Sequence, residues 1–218
     1  MSVYGYVQAG GGSTRFGVDK ALVELEGKSM LDRTCALLAP VCKTVRIIAL
    51  AEKYPHAPVP IVTDKWPGEG PLGGILTALY HAEEMSRALS LAPGTAEEAK
   101  AHCLILSCDM PFLKREWLDF LCEHAHRSKA DVVVPKSKSG PEPLCACWRT
   151  HAAPAIQRAF DGGIRKVTEA MKRVRMEVLD ESVWKRFDSD GRLFWNMNTP
   201  EDYQEARKIF EASRQAGT

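Results

Sequence analysis

Two adjoining stretches near the amino terminus decide the fold: Val3-Tyr4-Gly5-Tyr6-Val7-Gln8 and Ala9-Gly10-Gly11-Gly12-Ser13-Thr14-Arg15-Phe16-Gly17-Val18-Asp19-Lys20. The first is mostly apolar and predicts a short strand, and the second predicts a loop that leaves the strand at its carboxyl end. Glycine has no Cβ, so its N–H group can approach a ligand closely, and successive inward N–H groups bind anions. Arg15 and Lys20 add positive charge. The stretch therefore predicts a site for an anionic ligand.

The loop matches neither of two common phosphate-binding motifs. The P-loop requires Lys-Ser/Thr after its last glycine, whereas Val18-Asp19 follow Gly17. The dinucleotide fingerprint requires a third glycine where Arg15 stands. A glycine-rich turn with chance cations is the structural alternative, which the position directly after a strand disfavours.

Composition limits the class of protein. A chain of 218 residues is long enough for one domain with its own core, here residues 1–218. The net charge of +1 argues against a nucleic-acid partner, which would require a basic stripe. We find no run of ~20 apolar residues and no secretory signal pattern, which predicts a cytoplasmic protein without a membrane partner. The seven cysteines fit reduced thiols.

Apolar runs alternate with helical patterns along the rest of the chain. We predict strands over 44–50, 58–62, 103–107, 131–135, 143–148 and 173–179, and helices over 30–38, 72–85, 114–126, 152–160 and 200–213. The alternation predicts an α/β protein with three layers: a mostly parallel, doubly wound, Rossmann-like sheet with helices on both faces. Residues 86–100 read as a polar surface insertion.

Two further segments are suited to phosphate or metal. Asp64 precedes Gly70-Pro71-Leu72-Gly73-Gly74 at a predicted helix start, where free N–H groups and the helix dipole favour anions. Asp109 follows the strand over 103–107, and open α/β sheets bind ligands at the carboxyl ends of their strands. A cation would offset the cost of burying that carboxylate, and a helix cap is the structural alternative.

Two segments nearer the carboxyl terminus carry suitable polar groups. Arg165-Lys166 follow two glycines at a helix start, an arrangement that suits an anion or a solvated basic turn. Asn196 and Asn198 are two residues apart, so their side chains point the same way on an extended segment.

These segments resemble, in this order, those of the molybdenum-cofactor guanylyltransferase (MobA) family of nucleotidyltransferases. The resemblance covers residues 8–20, 64–74, 107–112, 161–167 and 196–201. The family transfers GMP from GTP to the terminal phosphate of molybdopterin and releases pyrophosphate, which gives the guanine dinucleotide form of the cofactor. The resemblance therefore implies GTP and molybdopterin as substrates and transient contact with molybdoenzymes or other cofactor-biosynthesis proteins.

The resemblance also implies roles for individual residues. Lys20, Arg15 and Asp109 would act in catalysis, with Asp109 binding Mg²⁺ as the cofactor. The nucleotide would contact Gln8, Ala9, Gly10, Gly11, Lys20, Asp64, Gly74 and Asp109. The acceptor would contact Asn196, Asn198, Arg165 and Lys166.

The sequence departs from the family at two places. Gln8 stands where the family usually carries leucine beside the base, and Ala49-Leu50-Ala51-Glu52 stand where many members carry asparagine. Two alternatives therefore stay open. One is a cytidylyltransferase acting on molybdopterin or on a sugar or polyol phosphate, and the other is a nucleotide-binding adaptor without turnover.

Overall fold

The protein folds around one mixed sheet. The computed structural model describes residues 2–10, 19–89 and 101–216. The strands are β1 (Val3–Gln8), β2 (Glu24–Leu25), β3 (Lys28–Ser29), β4 (Thr44–Ala49), β5 (Ile61–Thr63), β6 (His102–Ser107), β7 (Val132–Ser137), β8 (Gly140–Pro141), β9 (Cys145–Arg149) and β10 (Met176–Leu179). The central sheet has the order β10-β7-β9-β6-β1-β4-β5, with β8 paired to β7. β2 and β3 form a separate antiparallel pair.

The sheet is mostly parallel, as the sequence predicts. β1 pairs in parallel with β4 and β6, β4 pairs in parallel with β5, and β10 pairs in parallel with β7 at the edge. β9 lies between β6 and β7 and is antiparallel to both. Because β9 is antiparallel to β6, the amino end of β9 lies next to the carboxyl end of β6.

Helices cover both faces of the sheet. They are α1 (Met30–Leu38), α2 (Pro71–Leu89), α3 (Arg115–Arg127), α4 (Ala153–Asp161), α5 (Val167–Ala170), α6 (Glu181–Trp184) and α7 (Pro200–Ala216). One core cluster joins the sheet to α1, α3, α6 and α7, and a second joins it to α2, α4 and α5. Along β1, Val3 and Val7 face the first cluster and Tyr4 and Tyr6 face the second, as the two-residue period of a strand requires. The three-layer α/β prediction is confirmed.

The chain around the predicted insertion differs from the expectation in one respect. Helix α2 continues to Leu89, so residues 86–89 belong to a helix rather than to the insertion. Residues 90–100 lie outside the described part of the chain. Among the described helices, none has the length and apolarity needed to cross a membrane.

Candidate active site

The candidate site lies at the carboxyl-terminal edge of the sheet, where the central strands β1 and β6 end. Gln8, the last residue of β1, is in register with Ser107, the last residue of β6. The N–H of Ser107 donates to the carbonyl of Leu144, which precedes β9, at 2.9 Å. The carboxyl ends of β1 and β6 and the amino end of β9 therefore lie next to one another.

A cavity of about 400 Å³ opens at this edge. It is lined by Gln8, Ala9, Gly10, Asp19, Lys20, Ala21, Gly68, Gly70, Pro71, Ser107, Cys108, Asp109 and Leu144. The residues predicted to contact nucleotide or to act in catalysis thus meet in one cavity, apart from four. Gly11 and Arg15 lie outside the described residues, and Asp64 and Gly74 do not line the cavity.

Asp109 presents a half-buried carboxylate to this cavity. The Ser107 hydroxyl donates to its Oδ1 at 2.5 Å, and no described residue donates a hydrogen bond to its Oδ2. The carbonyl of Asp109 accepts from the N–H of Met197 at 2.7 Å. Lys114 is the N-cap of α3, so Asp109 does not cap that helix. One carboxylate with a free oxygen suits a hard divalent cation that is also bound by phosphate oxygens.

Lys20 reaches across to the segment that precedes α7. Its Nζ donates to Oδ1 of Asn198 at 2.8 Å. The backbone N–H groups of Asn198 and Thr199 donate to Oδ2 of Asp202 at 2.7 and 2.8 Å, and the N–H of Asp202 donates to Oγ1 of Thr199 at 3.2 Å. This reciprocal capping fixes the start of α7. Asn198, which the resemblance places at the acceptor, therefore lies beside a residue predicted to bind the nucleotide.

Asn196 lies near a carboxylate that the sequence analysis missed. Its side chain donates to the carbonyl of Phe194 at 3.2 Å and lowers the pKa of the nearby Glu142. Burial raises the pKa of Glu142, as does the charge of Asp109, although the Ser137 hydroxyl donates to Glu142 at 2.6 Å and lowers it. The only sequence signal is an acid between Pro141 and Pro143. It becomes informative once β9 is known to start at the cavity.

A second group that the sequence analysis missed anchors both ends of the glycine-rich loop. The Tyr54 hydroxyl lies 2.6 Å from the carbonyl oxygen of Ala9 and 2.8 Å from Oδ2 of Asp19. Lys53 pairs with the same Asp19 oxygen at 2.9 Å and donates to Ala9 at 3.1 Å. Burial raises the pKa of Tyr54, so the hydroxyl stays protonated. These residues follow the segment where the family's asparagine is absent.

Asp64 and Arg165 make contacts within the protein. Oδ1 of Asp64 accepts from the N–H of Trp66 at 3.0 Å and from the hydroxyl of Thr77 at 3.2 Å, which is a structural role. Nε of Arg165 donates to Glu69 at 2.5 Å, and Nη1 donates to the carbonyl of Phe160 at 2.6 Å. Arg165 thus ties the segment before α5 to the loop before α2. Lys166 is exposed at the start of α5.

The loop before α2 borders the cavity through two glycines. Gly68 and Gly70 have φ values of +84° and +80°, in the region that other residues rarely adopt. Both line the cavity. The loop conformation thus depends on these glycines, and the Arg165–Glu69 pair holds it from outside.

Comparison with known proteins identifies the family. A model of the MobA-like NTP transferase domain matches residues 5–175. The chain belongs to this family. A molybdenum cofactor guanylyltransferase of Desulfosudis oleivorans is 31% identical, over 98% of each chain. A probable molybdenum cofactor guanylyltransferase of Chloroflexus aggregans is 30% identical, over 93% of this chain and 92% of that one.

A solved structure agrees with this assignment. The molybdopterin-guanine dinucleotide biosynthesis protein A of Archaeoglobus fulgidus superposes with a TM-score of 0.78 at 27% identity, over 96% of this chain and 99% of that one. Since the family model covers residues 5–175 and these relatives cover more than nine-tenths of the chain, the protein is a nucleotidyltransferase. Its cavity is the candidate active site.

Proposed function

We propose that the protein transfers GMP from GTP to molybdopterin, with release of pyrophosphate, and so forms the guanine dinucleotide form of the molybdenum cofactor. One observation carries the proposal: Gly10, Lys20 and Asp109 line a single cavity. Its volume of about 400 Å³ is in the range of small-ligand sites. The names of the relatives support the choice of base and acceptor.

The donor nucleotide would be held by backbone and by charge. The start of the glycine-rich loop, at Gly10, would offer its backbone N–H group to the phosphates, and Lys20 would add one positive charge. Gly11 and Arg15 continue the same loop in the sequence, and we assign them to the same task. The N–H of Ala9 donates to the carbonyl of Ile48 at 3.1 Å, so Ala9 would only border the nucleotide. Gln8, Asp64 and Gly74 would lie on the nucleoside side, where Asp64 acts through the loop that it fixes.

Asp109 is the residue that would hold a divalent ion, for which we propose Mg²⁺. Its donor chemistry fits, since Asp109 lines the cavity where phosphate oxygens would lie and one of its carboxylate oxygens has no hydrogen-bond donor among the described residues. The bound ion would neutralise charge on the triphosphate and on the leaving pyrophosphate.

The reaction needs positioning more than acid or base chemistry. An oxygen of the terminal phosphate of molybdopterin forms a bond to the α-phosphorus of GTP. The bond from that phosphorus to the oxygen bridging to the β-phosphate breaks, and pyrophosphate leaves with the electron pair. The acceptor is already an anion, so no group has to remove a proton. Asn196, Asn198, Arg165 and Lys166 would position this acceptor.

The test is the reaction itself. The purified protein is incubated with Mg²⁺, molybdopterin and GTP, CTP, ATP or UTP in turn, and pyrophosphate and dinucleotide are measured. We expect product with GTP. Product from CTP alone would replace the proposal with a cytidylyltransferase, and GTP binding without turnover would favour an adaptor. We place the reaction in the cytoplasm, with transfer of the product to molybdoenzymes or other cofactor-biosynthesis proteins.

A further inference from the structure

Gln8 carries an unpaired polar atom at the wall of the cavity. The residue ends β1, lines the cavity and is 9% exposed. Its Nε2 donates to the carbonyl of Pro71 at 2.9 Å. Its Oε1 is buried, and no described residue donates a hydrogen bond to it. One half of the amide is therefore satisfied by the protein and the other half is not.

The orientation of this amide is fixed from two sides. A carbonyl oxygen only accepts, so the group that faces Pro71 must be the NH₂ and not the oxygen. On the other side lies Gly74, where a Cβ would stand 2.1 Å from Nε2 and 2.7 Å from Cδ of Gln8. The amide thus occupies the space that any larger residue at position 74 would need. If the amide were flipped, its oxygen would face the carbonyl of Pro71, and the hydrogen bond to Pro71 would be lost.

A purely structural role explains only the NH₂ group. A buried acceptor without a donor costs free energy, because water bonded it in the unfolded chain. An apolar side chain of the same length would fill the space without that cost. The unpaired oxygen is therefore accounted for if a bound ligand supplies the donor.

We propose that Oε1 of Gln8 accepts a hydrogen bond from the exocyclic amino group of the bound base, which is the 2-amino group of guanine. This inference rests on the proposed function and assigns base selection to a side chain. An exocyclic amino group projects beyond the ring, so it reaches an acceptor recessed in the wall. A ring N–H lies further back. Inosine triphosphate differs from GTP only by lacking that amino group.

The wild-type protein gives the first measurement. Affinities for GTP and inosine triphosphate are measured by calorimetry with Mg²⁺ and without acceptor. We expect GTP to bind about 10-fold tighter, as for a polar group left unpaired in a site. Equal affinities would overturn the inference without any variant.

Two variants then assign the preference to Gln8. Gln8→Met keeps the length and removes both polar atoms, and it should bring the affinity ratio close to one. Gly74→Ala does not change residue 8, but its added Cβ must push the Gln8 amide out of position. This variant should therefore lower the affinity ratio as well. Gln157→Met is the matched control, since Gln157 bonds Asp161 on α4 away from the cavity. It should leave the ratio unchanged.

Thermal unfolding without nucleotide separates this role from a structural one. Gln8→Met removes an unpaired buried oxygen but also the donor to the Pro71 carbonyl. Because these two effects oppose each other, the variant should unfold close to the wild-type temperature if Gln8 serves the ligand. A lower unfolding temperature with an unchanged GTP preference would overturn the inference. If the wild-type protein transfers GMP from GTP but binds GTP and inosine triphosphate equally well, the inference is contradicted and the proposed function is not. A Gln8-dependent preference without transfer to molybdopterin would contradict the proposed function alone.

Discussion

The proposed donor and acceptor sides of the site hold their cations with different partners. Lys20 on the donor side, which we define as Gly10, Lys20 and Asp109, is bonded to the neutral amide of Asn198. Arg165 on the proposed acceptor side, defined as Arg165, Lys166 and Asn196, none of which lines the cavity, forms an ion pair with Glu69. Among the described residues no carboxylate pairs with Lys20. A cation with a neutral partner keeps its full charge for a triphosphate, whereas a paired cation must first leave its carboxylate.

The largest effect is expected at Asp109, which we place at the metal. Asp109→Asn keeps the size and the acceptor for Ser107 but removes the charge, so transfer at saturating GTP should fall about 10²- to 10³-fold. Pyrophosphate release is measured across a Mg²⁺ titration, with circular dichroism as the check on folding. Wild-type activity in a folded variant would remove Asp109 from the metal role.

Lys20→Ala should have the next largest effect, about 10- to 100-fold in kcat/KM for GTP, as expected for a hydrogen bond to a charged group. Lys20→Arg keeps the charge and is the control. The loss should appear with GTP and not with molybdopterin as the varied substrate. An unchanged dependence on GTP would show that Lys20 acts elsewhere.

Asn198→Asp breaks the contrast between the two sides directly, because it gives Lys20 a carboxylate partner like that of Arg165. We expect kcat/KM for GTP to fall about 10-fold, and Asn198→Ala, which removes only a neutral bond, to lose about 3-fold. High salt should reduce the deficit of the Asp variant, since it screens exposed pairs. Equal losses in both variants would contradict the charge argument.

Glu69→Gln sharpens the contrast from the acceptor side. It frees Arg165 from its carboxylate, and because an exposed pair is worth about 0–1 kcal/mol, the KM for molybdopterin should fall up to about 5-fold. The KM for GTP should stay constant. A higher KM for molybdopterin would mean that the pair holds the loop at residues 64–70 in its working shape.

The smallest effect on activity is expected far from both sides, at Asp131 before β7. Burial opposes its ionisation, but hydrogen bonds from Arg175 and His151 lower its pKa to about 2. The stabilisation is therefore complete above about pH 4 and is lost as the pH falls through about 2. Asp131→Asn should lose on the order of 1–2 kcal/mol of stability at pH 7, after allowance for exposed partners.

The check on Asp131 is urea unfolding at several pH values. The difference from the wild type should shrink towards pH 2, and transfer should be unaffected at pH 7. A difference that does not change with pH would assign the effect to packing.

Local structure was predictable where it depends on neighbouring residues. Ser29 is the N-cap of α1, and α1 spans the predicted residues 30–38. Both features depend on residues that are close together in the sequence. Thr199 and Asp202 cap α7 for the same reason. The alternation of runs also predicts the three layers.

What could not be predicted depends on distant pairing. The bond between Lys20 and Asn198 spans 178 residues, and no local pattern reveals it. Glu142 reaches the site region because β9 is antiparallel, and strand direction within a sheet is a property of the whole topology. Lys53 and Tyr54 look like ordinary loop residues until their contacts with Ala9 and Asp19 are seen. The positions of Arg15 and Gly11 stay predictions.

The place of β9 in the sheet also has a consequence during synthesis. Chains emerge from the ribosome amino terminus first, so β1, β4, β5 and β6 can assemble before the partner of β6 on its other side exists. That partner is Cys145–Arg149. Until it emerges, β6 presents an apolar open edge of the kind that pairs with other nascent chains. Slow translation between residues 107 and 149 would therefore favour aggregation on polysomes, and chaperone demand should be greatest there.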